Sequence, residues 1–131
     1  MKKKLFKAAK KGKEKAYVPF SGFRVGAAIL TSSGEIYIGC NIENSSFSLT
    51  CCAERTAIFK AVSSGERKFS AMAVTADSQT PISPCGACRQ VMSEFLTDDV
   101  PIYLLSKENE VKTTSISELL PFAFELNDRG N

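Results

Sequence analysis

The fold of this chain is decided by two short stretches, Cys52-Ala53-Glu54 and Pro84-Cys85-Gly86-Ala87-Cys88, which together supply three thiols and a carboxylate. Structural zinc sites usually close with four protein ligands, whereas catalytic ones keep one position open for water. Because the chain contains no histidine, any catalytic zinc must be held mainly by sulfur. The residues therefore predict a zinc site with three cysteine ligands, one open position and a proton carrier beside it.

The spacing within each stretch predicts a helix start. Cys85 and Cys88 are three residues apart, so on a helix they share one face and can share a metal ion. Pro84 favours a helix start here, and the helix dipole lowers the pKa of thiols at such an end. Cys52 and Glu54 would diverge on a regular helix, so both can face the metal only if the helix begins at residue 52 to 54. Two positive helix ends are then expected to converge on one ion.

Bulk properties favour a single globular domain, residues 1–131. The mass of 14.2 kDa suits one domain with a core, and the hydrophobic and charged fractions of 44% and 24% are ordinary. No apolar run approaches the roughly 20 residues that cross a bilayer, and Leu5-Phe6 is too short for a signal-peptide core. We expect a cytoplasmic protein without a membrane partner.

The positive charge is concentrated at the N-terminus. Residues 1–15 carry eight lysines against Glu14, a net of +7, so the remainder sums to −4 for the total of +3. No aromatic residues alternate with these lysines as a stacking surface for bases would require. We interpret the segment as a helix with a solvated lysine face, and expect no nucleic-acid partner.

Hydrophobic periodicity predicts an α/β protein in which strands alternate with helices. The predicted helices are 2–16, 52–63 and 85–95, with a short helical turn at 117–120. The predicted strands are 24–31 and 35–41, joined as a hairpin by Ser32-Ser33-Gly34, then 69–75, 101–105 and a weaker one at 111–114.

The two stretches resemble the cytidine deaminase family, whose pattern is a Cys or His, then Ala-Glu, then Pro-Cys-x-x-Cys. Cys52 to Ala57, Ser83 to Val91 and the block Asn41-Ile42-Glu43-Asn44 follow that pattern in order, and the resemblance extends from Pro19 to about Phe124. It implies a three-layer α/β/α fold, in which a mixed central sheet carries helices on both faces.

The resemblance also implies a zinc enzyme of pyrimidine salvage, which deaminates cytidine and 2′-deoxycytidine hydrolytically. One Zn²⁺ per subunit would be held by Cys52, Cys85 and Cys88, with Glu54 carrying protons between water and the pyrimidine. Three thiolates leave the site with a net charge of about −1. The family's arginine, Arg55 here, is expected to hydrogen-bond the sulfurs and offset that charge. Arg89, directly after Cys88, is a second candidate for this role.

The resemblance also implies which residues bind the substrate, by their positions in the family pattern. Asn41 and Glu43 match the pair that binds the ribose hydroxyls, and Phe23 matches a ring that packs on the pyrimidine. Phe124 matches a residue that reaches the neighbouring subunit's pocket in the homotetramers of this family. Two family tyrosines are replaced by Phe20 and Phe47, so their hydroxyl hydrogen bonds are absent here.

Other interpretations remain open. An enzyme of the same fold could act on a polynucleotide or on another ring that bears an amidine, although Asn41 and Glu43 favour a free nucleoside. Cys40 and Cys51 are left over; we interpret both as small packed side chains. Either could instead close a non-catalytic zinc module as its fourth ligand, and Cys51 competes with Cys52 as a ligand.

Overall fold

A computed structural model of the chain describes residues 1–126, and its centre is a five-stranded mixed sheet with the order β2-β1-β3-β4-β5. The strands are β1 Val25–Thr31, β2 Ile36–Cys40, β3 Phe69–Ala76, β4 Ile102–Leu105 and β5 Val111–Thr114. The helices are α1 Lys2–Lys13, α2 Ala53–Ser63, α3 Gly86–Phe95 and α4 Ile116–Leu119, and a 3-10 turn covers Phe47–Leu49. Within these residues no helix is both long and apolar enough to cross a membrane.

The strand directions explain where the start of α3 lies. β1 pairs antiparallel with both β2 and β3, β3 pairs parallel with β4, and β4 pairs antiparallel with β5. A parallel pair needs a crossover connection, and α3 supplies it between β3 and β4. The chain that leaves the carboxyl end of β3 therefore leads to the start of α3, at the sheet edge where α/β proteins commonly bind ligands.

Both faces of the sheet are covered, which confirms the three-layer prediction. Every residue of β1 is buried, because alternate side chains point to opposite faces and each face meets helices. Ala27 and Ile29 pack with residues of α2 and α3, whereas Ala28 and Leu30 pack with Leu5 and other residues of α1. The long apolar run of β1, with no polar alternation, is typical of a strand buried on both sides.

The predicted bounds of α1 and of one loop were wrong. α1 ends at Lys13, three residues before the predicted end, because Lys15 and Ala16 form tight backbone hydrogen bonds that turn the chain. Tyr17 then bridges to Ile42. The 3-10 turn at Phe47–Leu49 was expected to be loop.

Glycines set how closely the helices approach the sheet. A Cβ added to Gly39 would lie 2.5 Å from the carbonyl oxygen of Ala53 in α2, and one added to Gly26 would overlap the backbone of α1. Such separations are shorter than real Cβ contacts, so each helix backbone rests directly on a strand. Gly39 in particular fixes the first turn of α2 against β2.

Replacing Gly39 by alanine should therefore destabilise the protein by about 1–3 kcal/mol, because α2 must move outward to admit the methyl group. Urea unfolding followed by circular dichroism measures the change. Gly86→Ala is the matched control: its Cβ would meet no atom within 4 Å, so its stability should be equal or slightly higher. Equal stability of Gly39→Ala and wild type would contradict the close packing.

Candidate active site

The three sulfurs are placed by two helix starts. Cys52 is the N-cap of α2 with φ −74° and ψ 157°, and Cys85 is the N-cap of α3 with φ −69° and ψ 167°. Cys88 lies one turn into α3 and is buried. The prediction that α2 begins between residues 52 and 54 is confirmed. Because Cys52 still has extended backbone geometry, its side chain does not follow the regular helical spacing that would point it away from Glu54.

The sulfur spacing fits a metal ion. Cys52 Sγ lies 3.7 Å from Cys85 Sγ, which lies 3.4 Å from Cys88 Sγ, and all three lie within 4.8 Å of one another. Tetrahedral zinc with Zn–S distances of about 2.3 Å separates its sulfurs by about 3.8 Å. The donor set is therefore the right size and chemistry for one Zn²⁺.

The two remaining cysteines do not join this group. Cys40 Sγ donates to the Lys15 carbonyl at 3.5 Å, and Cys51 Sγ accepts from Thr56 Oγ1 at 3.6 Å. Among the 126 described residues, the metal-sized cluster contains only Cys52, Cys85 and Cys88. A closed four-sulfur site is therefore not built here, which argues against the non-catalytic zinc module.

The surroundings of Cys52 favour its thiolate form. A hydrogen bond with Cys88, together with Arg55 and Cys85, lowers the pKa of the Cys52 thiol to about 5, while the same bond raises the pKa of Cys88. Arg55 Nη2 donates to Cys52 Sγ at 3.4 Å. Its buried Nε has no hydrogen-bond partner, although buried polar atoms usually do. The guanidinium is thus held against the sulfurs, where sequence reasoning expected it.

Glu54 lies in the first turn of α2 and is 5% exposed. Desolvation raises the pKa of its carboxyl to about 7, and the Cys52 thiolate adds to the effect. A carboxyl group with a pKa near neutrality can both accept and release a proton under ordinary conditions.

One cleft of about 290 Å³ joins the sulfurs to most of the predicted substrate residues. Its lining includes Phe23, Asn41, Glu43, Cys52 and Glu54. A larger hollow of about 460 Å³ lies beside β2, and none of the three clustered cysteines lines it. The smaller cleft is the candidate active site, because its lining combines Glu54, the cysteines Cys52 and Cys85, and polar groups suited to a sugar.

Asn41 and Glu43 both contact the segment that precedes β1. Asn41 Oδ1 accepts from Val25 N at 3.0 Å, and Asn41 Nδ2 donates to the Phe23 carbonyl at 2.9 Å. Glu43 Oε1 accepts from the backbone N–H groups of Phe20 and Ser21 at 3.0 and 3.1 Å. The two side chains therefore shape the cleft wall and also face into it.

Two other predicted residues lie elsewhere. Phe124 is 69% exposed, does not line the cleft of its own chain, and accepts a hydrogen bond from Gln90 Nε2 through its carbonyl. Arg89 donates to the backbone carbonyls of Pro84 and Leu119, so its guanidinium binds backbone oxygen atoms instead of sulfur. It ties the start of α3 to α4.

Six other residues of the cleft wall had no predicted role: Ser21, Val25, Thr50, Ala53, Ile82 and Ser83. Ser21 had a weak signal, since a serine before Gly22 is typical of a turn in which the hydroxyl bonds nearby backbone. Val25 and Ala53 lie in a predicted strand and a predicted helix, and Ser83 begins a block that resembles the family. Thr50 and Ile82 lie in predicted loops and gave no signal.

Comparison with known proteins agrees with this geometry. Residues 1–104 match the family model described as the cytidine and deoxycytidylate deaminase zinc-binding region. A cytidine deaminase of Sporosarcina psychrophila is 55% identical over 95% of this chain and 92% of its own length, and one of Halalkalibacterium halodurans is 51% identical over 95% and 94%. The crystal structure of cytidine deaminase from Burkholderia pseudomallei superposes with a TM-score of 0.91, at 47% identity over 95% and 99% of the two chains.

A fold with a three-sulfur metal site and a buried acid beside it defines a class of zinc hydrolases. Within that class, the chain belongs to the cytidine and deoxycytidylate deaminase family.

Zinc content should depend on Cys52 and not on its neighbour. Cys52→Ala removes one of three ligands, so we expect zinc in the purified protein to fall from one equivalent to below about 0.3, in line with the loss of affinity that incomplete ligation causes. Cys51→Ala is the matched control and should keep one equivalent. Atomic emission spectroscopy measures both. Zinc lost from Cys51→Ala but kept in Cys52→Ala would reverse the ligand assignment.

Proposed function

We propose that the chain is a single catalytic domain that deaminates cytidine and 2′-deoxycytidine to uridine and 2′-deoxyuridine, with release of ammonia, in pyrimidine salvage. The observation that carries the proposal is the buried carboxyl of Glu54 in the same cleft as ligand sulfur, Asn41 and Glu43. The similarity to cytidine deaminases over nearly the whole chain supports the same activity.

Cys52, Cys85 and Cys88 would hold one Zn²⁺. When bound, zinc lowers the pKa of a coordinated water and so supplies a nucleophile near neutral pH. Arg55 donates to Cys52 Sγ and reduces the excess negative charge of the three thiolates. The starts of α2 and α3 contribute further, because their free N–H groups and dipoles favour negative charge at both N-caps.

Glu54 moves two protons in sequence. It accepts the first proton of the attacking water and gives it to ring N3 while the water oxygen bonds to C4. It then takes the second proton from that oxygen and delivers it to the amino group, the C4–N bond breaks, and ammonia leaves. The product keeps a carbonyl at C4 and a proton on N3. A carboxyl whose pKa burial raises to about 7 suits both directions of transfer.

Asn41 and Glu43 bind the ribose, and Phe23 packs against the pyrimidine. Asn41 retains one free amide N–H and one lone pair beyond its bonds to Val25 and Phe23, and Glu43 retains acceptor capacity. Phe23 is 37% exposed at the cleft, which leaves part of its ring available for contact. These groups favour a free nucleoside over a polynucleotide, since a sugar must be held directly.

We further propose a cytoplasmic homotetramer in which Phe124 completes the pocket of a neighbouring subunit. Its exposure supports this, as does that of other large apolar side chains, since the buried centres of subunit interfaces are enriched in aromatic side chains. The most exposed of them are Phe47, Leu49, Phe122 and Phe124.

Replacing Glu54 by glutamine should abolish turnover, because an amide cannot carry the proton. We expect kcat on cytidine to fall at least about 1,000-fold, at the upper part of the range for a lost general acid and base, with one equivalent of zinc retained. Glu35→Gln, a matched change in the exposed β1–β2 turn, should leave kcat unchanged. Ammonia release and the loss of ultraviolet absorbance report turnover, and single-stranded DNA is assayed in parallel. Full activity of Glu54→Gln would refute the mechanism, and turnover of DNA alone would refute the substrate.

The proposed homotetramer can be tested by measuring the mass of the protein in solution. Sedimentation equilibrium should give a mass four times the 14.2 kDa of the chain. Phe124→Ala should raise KM for cytidine more than it changes kcat, because a contact to bound substrate is removed. A monomeric wild type with full activity would exclude a contribution of Phe124 to another subunit's pocket.

A further inference from the structure

The hydroxyl of Ser21 connects the two halves of the substrate cleft. It donates to Glu43 Oε2 and accepts from Phe23 N at 3.0 Å. Glu43 is the proposed sugar ligand, and Phe23 is the proposed contact to the pyrimidine. One side chain that is neither a proposed metal ligand nor the proposed proton carrier thus binds both the Glu43 carboxylate and the backbone of Phe23.

Hydrogen bonds from Ser21 and Phe20 restrict the orientation of the Glu43 carboxylate. An ionised carboxylate offers about four acceptor positions. Two are filled on Oε1 by the N–H groups of Phe20 and Ser21, and one on Oε2 by the Ser21 hydroxyl. One acceptor position therefore remains on Oε2, and its direction is fixed because the other three are occupied.

The same hydroxyl also restricts Phe23. Its N–H is held by Ser21 Oγ, and its carbonyl accepts from Asn41 Nδ2 at 2.9 Å. Both peptide groups that flank the phenylalanine are therefore anchored by side chains of the cleft wall. Gly22, with φ +69°, permits the turn between Ser21 and Phe23.

The negative charge of Glu43 also favours its hydrogen bond with Ser21. The hydrogen bond from the Ser21 side chain is the largest influence that lowers the pKa of the Glu43 carboxyl. Hydrogen bonds to a charged group are stronger than those between neutral groups. Loss of the hydroxyl would leave Glu43 on two backbone donors to a single oxygen, free to rotate Oε2 away.

We propose that Ser21 is a positioning residue for ribose recognition: its hydroxyl aims the last acceptor position of Glu43 at a sugar hydroxyl. The inference rests on the proposed nucleoside deaminase function. A residue that only stabilises the loop would affect all substrates equally. A residue that acts through Glu43 affects only substrates whose sugar carries a hydroxyl for Glu43 to bind.

The test compares cytidine with 2′,3′-dideoxycytidine on the zinc-loaded protein. Ser21→Ala should raise KM for cytidine about tenfold, the equivalent of one hydrogen bond to a charged group, and change kcat less than about twofold. On the dideoxynucleoside its kcat/KM should stay within about twofold of wild type. Ser21→Thr keeps the hydroxyl and should restore most of the affinity for cytidine.

Two controls separate positioning from stability. Ser64→Ala removes a hydroxyl that donates to the Lys60 carbonyl at the far end of α2, and should leave both substrates unaffected. On a Glu43→Gln background, Ser21→Ala should add less than about twofold to KM for cytidine, because two residues that act as a unit are not additive.

Failure of the role of Ser21 and failure of the proposed function give different results. Equal losses on both substrates, no loss on either, or full additivity with Glu43→Gln would each overturn the role of Ser21. A wild-type protein that does not deaminate cytidine would instead refute the proposed function on which the inference rests. If Ser21→Ala does not fold, Ser21→Thr decides the question. Its selectivity is the ratio of kcat/KM on cytidine to kcat/KM on 2′,3′-dideoxycytidine. A ratio below about a third of the wild-type ratio overturns the inference.

Discussion

The structure depends on bringing the first turns of two helices to one point. Cys52 and Cys85 are both N-caps, so the sulfurs meet where two sets of free N–H groups and two positive dipole ends also meet. That arrangement favours thiolates at a place where three anions would otherwise repel each other. The sheet provides the positions: Gly39 lets α2 rest on β2, and the parallel pair of β3 and β4 requires the crossover that contains α3.

On the side of the cleft that we propose for the sugar, the side chains that build the wall are also the proposed ligands. Asn41 and Glu43 hold the backbone from Phe20 to Val25 and keep some hydrogen-bonding capacity for a ligand. Their conformations are therefore fixed before a substrate arrives. Less entropy is lost on binding when the groups that bind are already ordered.

Much of this could be predicted from the sequence, because the relevant signals are local. The offset between Cys52 and Glu54 required a helix start at that point, and the apolar run of β1 required a strand buried on both faces. The role of Ser21 could not be predicted, since its partner Glu43 is 22 residues away and no periodicity links them. The early end of α1 and the 3-10 turn at Phe47–Leu49 are formed by local i→i−3 backbone hydrogen bonds, and hydrophobic periodicity does not locate such tight turns. Phe124 lies outside the cleft of its own chain, so a single subunit gives it no defined partner there.

A metal centre built without imidazole inherits the weaknesses of sulfur. Thiolates react with peroxides and other electrophiles, and oxidation of a ligand to the sulfinic acid is in general irreversible. Cys85 is exposed, so it is the ligand that such reagents reach first. Bound zinc and the Arg55 guanidinium both draw electron density from the sulfurs and so moderate this reactivity. The resting chemistry of the centre is therefore tied to the redox state of its surroundings, and loss of the ion would expose a pair of thiols 3.4 Å apart to disulfide formation.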